Sequence, residues 1–376
     1  MLDRTEPDAL VIETARAFAQ EKLWPGAAAR EKAGRIEAAI VAEIGALGFL
    51  GATVSPDWGG AGLDYVTYAL LLEEIAAGDG SVSTMVSVHN SPTCAVLEIF
   101  GTDAQRDRFL RPLASGEAVG CFALTEPGAG SDASALRTRA VRDGGGWVIN
   151  GAKQFISNAA IARIAVLFAV TDPDAGKKGI TCFAVPTDTE GFRIARLEEK
   201  LGQKASDTAQ LAFEDMRVGD DCRIGAAGDG YRIALSTLES GRIGIAAQSV
   251  GMARSALDYA IGYAKERSAF GTPIIRHQAV GFRLAEARTR LEAARQLVLH
   301  AARLKTEGKP ALEAACMAKL FASETAEAVC SAAIQTLGGY GFLADYPVER
   351  IYRDVRVCQI YEGTSDIQKI ILQRML

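Results

Sequence analysis

The chain has 376 residues, 49% hydrophobic and 23% charged, with a formal net charge of −5. That length exceeds one ordinary core and predicts two or three packed units, and the composition is globular rather than disordered. Interspersed charges exclude a nucleic-acid footprint, which needs clustered Lys and Arg, and the longest apolar runs, such as Ile164 to Val170, are too short to span a bilayer.

The seven cysteines (Cys94, Cys121, Cys182, Cys222, Cys316, Cys330, Cys358) form no C-x-x-C pair, and His89, His277 and His300 are far apart. No metal site is expected; the thiols read as small buried hydrophobes in a reducing compartment. The N-terminal stretch is acidic and helical in character, so no signal peptide is expected. The protein is expected to be cytoplasmic, or in a mitochondrial matrix if a presequence has been removed.

From Leu10 to about Ala114 apolar residues recur at spacings of three and four, with Gly or Pro between segments, and predict helices. Ser55 to Gly62 is glycine-rich but has neither the spacing nor the preceding strand of a phosphate loop. Near Gly120 the period changes to that of strands. Cys121 to Thr125 reads as one strand, Trp147 to Ser157 as a hairpin about Asn150-Gly151, and Arg163 to Thr171 as a buried strand. Gly179 to Val185, Phe192 to Leu197 and Thr208 to Phe213 complete a small barrel or sandwich ending near Cys222. After Gly230 the chain returns to helix, over Ile233 to Arg267, Ile275 to Thr306, Leu312 to Leu337 and Ser365 to the end, which predicts a four-helix bundle. The expected fold is α+β multidomain, with an N-terminal helical domain (1–118), a middle β domain (119–223) and a C-terminal helical bundle (224–376).

Several stretches carry residue types suited to chemistry. The first strand runs into Glu126-Pro127-Gly128-Ala129-Gly130-Ser131, a loop that presents backbone N–H groups and a hydroxyl to an anionic or carbonyl-rich ligand. Period two places Phe155 and Ser157 on one strand face, an aromatic wall beside a hydroxyl. Glu239-Ser240-Gly241-Arg242 puts a cation and small residues inside a helix, and Arg267 with Phe270 pairs a cation with an aromatic suited to a pyrophosphate. Near the C-terminus, Gln359 to Tyr361 reads as an apolar, strand-like run leading to Glu362 and Gly363. Ser365 with Gln368 spells a capping box for the last helix. A carboxylate placed there can be aimed into a pocket, where desolvation raises its pKa toward that of a useful general base.

The set resembles the acyl-CoA dehydrogenase family over nearly the whole chain, through CFALTEPGAGSDA (121–133), WVINGAKQFISN (147–158), ERSAFGTPI (266–274), QTLGGYGF (335–342) and IYEGTSDIQ (360–368). What this resemblance implies is an FAD enzyme that oxidises the Cα–Cβ bond of a short- to medium-chain or branched acyl-CoA to the trans-2-enoyl-CoA. Glu362 matches the family's base, taking the α-proton while the β-hydride passes to flavin N5. Phe122, Leu124, Thr125, Gly130 and Ser131 match one flavin wall; Phe155, Ile156 and Ser157 match the other, with Phe155 where many members have tryptophan. Arg267, Phe270, Gln278, Gln335, Leu337, Gly338 and Gly339 match residues on the FAD adenylate, and Thr364, Ser365 and Asp366 a second flavin-binding strip. Ser131, Glu239, Ser240, Gly241, Arg242, Tyr361 and Gly363 match the acyl-CoA side. The same resemblance implies a homotetramer, a dimer of dimers, that passes electrons to an electron-transferring flavoprotein and binds neither nucleic acid nor membrane. Two alternatives share the fold: an acyl-CoA oxidase using O2, and a non-catalytic flavin-containing binding protein, whose DNA-associated members carry a basic region absent from this acidic chain.

Overall fold

Asp residues start three of the N-terminal helices. The computed structural model describes residues 8–376, and its N-terminal part contains α1 (Ala9–Phe18), α2 (Trp24–Ala33), α3 (Ala38–Ala46), α4 (Tyr65–Gly78), α5 (Gly80–Val88), α6 (Ala95–Phe100), α7 (Asp103–Gln105) and α8 (Arg111–Ala114). Asp8, Asp64 and Asp79 cap α1, α4 and α5, each accepting from two backbone N–H groups that would otherwise lack partners. Nearly every residue of α4 and α5 is buried, so these two helices lie inside the molecule instead of showing one apolar stripe.

The sheet consists of β1 (Val119–Ala123), β2 (Arg139–Asp143), β3 (Gly146–Ser157), β4 (Ala162–Val170), β5 (Ile180–Pro186), β6 (Phe192–Leu197), β7 (Thr208–Gly219) and β8 (Arg223–Ile224). Its strand order is β6-β7-β3-β2-β4-β5-β8, with β1 added in parallel beside β4. The expected turn at Asn150-Gly151 is not there: β3 runs through both residues, and the turn lies at Gly144-Gly145, between β2 and β3. Gly151 instead marks a bulge, where the pairing with β7 skips a step. Its φ is 149°, and a β-carbon there would sit 2.6 Å from Thr138 Cα, so close backbone approach demands the glycine.

The C-terminal part has α9 (Gly230–Glu266), a short ribbon of β9 (Ser268–Ala269) and β10 (Thr272–Pro273), then α10 (Gln278–Thr306), α11 (Leu312–Leu337), α12 (Pro347–Val355) and α13 (Ser365–Gln373). The sequence reading did not separate α12 from its surroundings. Helix α9 packs along both α4 and α11, and these helices share one apolar core; the sheet and the helices nearest it form a second. Glycines let α9 approach its neighbours: a β-carbon at Gly244 would lie 2.8 Å from Ser87 Oγ, and one at Gly251 2.1 Å from the Glu73 carbonyl oxygen. Arg356–Gln359 is a 3-10 turn, not the strand-like run expected before Glu362. Cys358 is its buried residue, three after buried Val355 at the end of α12, which is helical rather than strand spacing. Among the described residues no helix is long and apolar enough to cross a membrane.

Candidate active site

Glu362 follows the 3-10 turn with φ at 51°, and Gly363 adds a second positive φ of 89°. The left-handed conformation costs a non-glycine residue about 1–2 kcal/mol, so the surrounding structure has to hold it. Two buried side chains do so from the far side of the turn. Gln368 Nε2 donates to the Gly363 carbonyl at 2.8 Å and to the Glu362 carbonyl at 3.4 Å, and Lys319 Nζ donates to the Gly363 carbonyl at 2.8 Å. The expected capping box of Ser365 with Gln368 does not form. Thr364 is the N-cap, accepting from the Ile367 N–H, while Ser365 is the first helical residue and Gln368 is spent on the turn. The extended backbone of Thr364, just after the left-handed pair, sets the helix start there.

The Glu362 side chain points into the protein, both carboxylate oxygens closed to solvent and without a hydrogen-bond partner. Burial raises its pKa to about 7, while the nearby cations Arg242 and Lys319 pull the other way. Arg242 is buried too, with Nε unpartnered. Lys319 lies wholly inside the protein, and burial lowers its pKa to about 8. Gly241 faces the carboxylate so closely that a β-carbon there would be 1.9 Å from Glu362 Oε2. Tyr68 and Ser87, from α4 and α5, contribute two further buried hydroxyls without partners, and burial, then Tyr65 and Glu362, raises the Tyr68 pKa well above its ordinary value.

The other candidates on this side are engaged elsewhere. Glu239 pairs with Lys305 at 3.0 Å, and the Ser240 hydroxyl donates to the Thr237 carbonyl and shares a hydrogen bond with Ser91 Oγ at 2.9 Å. The Tyr361 hydroxyl turns inward, donating to Gln248 Oε1 at 2.6 Å.

On the sheet side, Phe122 is half-buried against Phe168, with ring centroids 5.0 Å apart, and is followed by buried Leu124 and half-buried Thr125. The next loop is closed by reciprocal backbone hydrogen bonds between Glu126 and Ala129 and pegged from below by a buried ion pair. Lys153 Nζ donates to Glu126 Oε1 at 2.8 Å and to the Leu124 carbonyl at 3.0 Å; the same carboxylate accepts from the Arg137 and Thr138 N–H groups. Burial raises the Glu126 pKa, but Lys153 and these hydrogen bonds outweigh it and hold it below the ordinary value, while burial brings Lys153 down to about 8. Gly130 and Ser131 are exposed, and a β-carbon at Gly128 or Gly130 would meet open space. Phe155 has φ at 60°, in a β3 bulge, with its ring 63% exposed beside half-buried Ser157; Ile156 is buried in the sheet core.

A separate cleft of about 410 Å³ gathers Arg267, Leu337, Gly338 and Gly339, with the Arg267 guanidinium 5.8 Å from the Tyr340 ring centroid. Phe270, Gln278 and Gln335 lie outside its lining, at the surface. Thr364, Ser365 and Asp366 form the first turn of α13, where the Ser365 hydroxyl is buried and unpartnered. Lys319 and Lys153 were missed by sequence reasoning. A signal existed for the first, since Lys319 sits four residues after Ala315 and three before Ala322, on one helix face of small buried residues.

A dry carboxylate with its pKa raised to about 7, faced by Gly241, Arg242 and Lys319, is the arrangement of an enzyme that abstracts a proton from a bound substrate. Residues 5–117, 121–216 and 228–376 match the N-terminal, middle and C-terminal domain models of acyl-CoA dehydrogenases. The human mitochondrial short-chain specific acyl-CoA dehydrogenase is 46% identical over 98% of this chain and 89% of its own. Butyryl-CoA dehydrogenase from Megasphaera elsdenii superimposes with a TM-score of 0.96 at 38% identity, covering 100% of this chain and 98% of that one. A chain from a structure of the electron transferring flavoprotein of Acidaminococcus fermentans gives 0.97 at 42%, with the same coverage. The chain belongs to the acyl-CoA dehydrogenase family, whose members are FAD-dependent oxidoreductases.

Proposed function

We propose that this chain dehydrogenates a short- to medium-chain or branched acyl-CoA thioester to the trans-2-enoyl-CoA, with Glu362 taking the α-proton. The buried, unpartnered Glu362 carboxylate carries this reading. A carboxylate in water is too weak a base for a thioester α-carbon; one held dry with its pKa near 7 is closer in proton affinity to the carbon it must deprotonate. The Glu362 backbone N–H is the chain's own donor toward the thioester carbonyl, where enolate charge develops. Arg242 and Lys319 oppose the pKa rise, so a substantial share of the group is ionised at neutral pH while it remains basic.

The residues present fit FAD: the unpartnered Ser365 hydroxyl, the exposed Phe155 ring and the open glycines of the 126–131 loop are groups a bound flavin would cover. Phe122, Leu124, Thr125, Gly130, Ser131, Phe155, Ile156 and Ser157 would line the ring and pyrophosphate, Ile156 through its backbone. Thr364, Ser365 and Asp366 would hold a second strip, and Arg267, Phe270, Gln278, Gln335, Leu337, Gly338 and Gly339 the adenylate. Bound FAD supplies the acceptor for the β-hydride. Ser131, Glu239, Ser240, Gly241, Arg242, Tyr361 and Gly363 form the acyl-CoA side, Tyr361 through its backbone and Gly241 by leaving room at the carboxylate.

The choice of a short chain rests on the short-chain specific human enzyme and the butyryl-CoA enzyme among its relatives. The match to a chain from the electron transferring flavoprotein structure supports such a flavoprotein as electron acceptor. Exposed Phe270 and Phe342 in the C-terminal part suit a subunit contact in a homotetramer, a dimer of dimers. Division at 118/119 and 223/224 into three domains, and residence in cytoplasm or mitochondrial matrix, complete the reading.

The deciding experiment is anaerobic bleaching of the flavin by a panel of acyl-CoAs, in the native protein and in Glu362→Gln. The variant is expected to bind FAD and butyryl-CoA while reduction slows by about two to four orders of magnitude. Near-native reduction would remove Glu362 from its role.

A further inference from the structure

Tyr361, beside the base, begins a directional chain of buried hydrogen bonds. Its hydroxyl donates to Gln248 Oε1 at 2.6 Å. Gln248 Nε2 donates to Thr84 Oγ1 and to the Gly80 carbonyl; Thr84 Oγ1 donates to Gln203 Oε1 at 2.5 Å. Gln203 Nε2 donates to the Asp354 carbonyl at 3.1 Å, and the Gln203 backbone N–H donates to the Asp354 carboxylate. Gln248, Thr84, Gln203 and Asp354 are all at least nine-tenths buried. The chain joins all three parts of the protein: α5 supplies Thr84, the connection between β6 and β7 supplies Gln203, and α9 and α12 supply Gln248 and Asp354.

Each link fixes the next. The Gly80 carbonyl can only accept, which turns the Gln248 NH2 toward it and Thr84 and leaves the Gln248 oxygen to accept from Tyr361. The Thr84 hydroxyl must then donate onward, which presents the Gln203 oxygen to it and the Gln203 NH2 to the Asp354 carbonyl. Gln203 itself sits at φ 48°, a conformation retained by a non-glycine residue only where its surroundings impose it. Here both its amide ends and its backbone N–H are held. The other end of the chain is the side chain preceding Glu362, whose own φ of 51° needs external support. Gln368 and Lys319 hold that turn by its carbonyls, and the relay holds it through Tyr361.

We infer that Gln203, in the sheet unit, is a positioning residue for the reaction: acting through Thr84, Gln248 and Tyr361, it keeps the Glu362 turn in its left-handed conformation. This rests on the reading of Glu362 as the base. Gln203 makes no hydrogen bond to Glu362, so its effect on the carboxylate is transmitted. Loss of the link leaves substrate binding in place and degrades alignment of the carboxylate, because small misplacements of a reacting group cost rate more than affinity.

The test is a double-mutant cycle on the FAD-loaded enzyme, with Gln203→Met and Tyr361→Phe read by kcat, KM for butyryl-CoA and flavin absorbance. Each single variant is expected to lose about tenfold in kcat with KM within about twofold and the flavin retained. The double variant should be no slower than the slower single, since both cut one chain. Native kcat in Gln203→Met, or losses that multiply in the double variant, would overturn the inference. Should Gln203→Met fail to yield yellow enzyme, Thr84→Val cuts the chain one bond nearer Tyr361 and is judged by the same criteria. Glu362→Gln, run in parallel, separates the two ideas: if it stays active the base assignment fails, whereas if it is inactive and the cycle is additive only the relay fails.

Discussion

Gly241 of α9 and Glu362 are in direct apposition: the carboxylate occupies the space that a side chain at position 241 would need. The proposed base and the helix it faces are thus mutually dependent. Gly241→Ala is expected to fold and bind FAD, since a helix interior accepts alanine, and to displace the flexible end of Glu362. Flavin reduction by butyryl-CoA should fall about 10- to 100-fold, with thermal stability unchanged or slightly higher. Stopped-flow reduction beside a melting curve checks both halves.

Activity should follow ionisation of Glu362. With its pKa raised to about 7 by burial, kcat/KM of the enzyme should rise with pH through about 7 and level off above it. Stability should run the other way. A carboxyl at about 7 in the folded protein against 4.5 when unfolded favours the native state fully below 4.5 and loses that contribution as pH rises through 7. Asp354, also raised to about 7 by burial, adds in the same direction. Glu362→Gln, neutral throughout, should therefore melt higher than the native protein at pH 8 and about equally at pH 4.5, by an amount on the order of 3 kcal/mol at most. Melting curves at the two pH values decide the sign.

Lys319 has two roles that one substitution separates. Lys319→Met keeps the bulk, removes the donor to the Gly363 carbonyl and deletes a cation that lowers the Glu362 pKa. The pKa should rise, so the acid limb of the kcat/KM profile is expected to move to higher pH, alongside a lower plateau from a loosened turn. A profile reduced in height alone would assign Lys319 to the turn and not to the charge.

The Lys153–Glu126 pair offers a stability test at a distance from the base. Lys153→Met leaves Glu126 buried without its cation, and breaking such a pair from one side costs about 3–5 kcal/mol. It also frees the Leu124 carbonyl, next to the proposed flavin wall. The protein is expected to purify with less flavin and a lower melting temperature. Lys153→Met with Glu126→Gln should recover most of the stability, as measured by thermal unfolding, while flavin content reports on the loop.

Much of this was legible in the sequence wherever the determinants are local. The order of helices, sheet and helices came from hydrophobic period, and Glu362 stood out because its apolar flank, glycine and following helix are contiguous. What was illegible depends on partners distant along the chain. Lys153 and Glu126, or Gln203 and Thr84, acquire meaning only once strands and helices are packed, and the Gly151 bulge exists because Thr138 crosses beneath it. The run before Glu362 contains residues acceptable in a strand, but it continues from α12 as a 3-10 turn with Cys358 buried. Helix α12 did carry a signal, since Val348, Ile351, Tyr352 and Val355 recur at helical spacing after Pro347, but over only nine residues.

The close approaches along α9 carry a consequence for assembly. Gly241, Gly244 and Gly251 weaken the middle of a 37-residue helix by about 1 kcal/mol each relative to alanine, at the places where other segments press in. In the isolated segment that stretch would unwind first, ahead of the alanine-rich half beyond it. The central turns of α9 should therefore become ordered only when α4, α5 and the Glu362 turn close upon them, so that native hydrogen exchange there reports on completion of the whole molecule rather than on any one part.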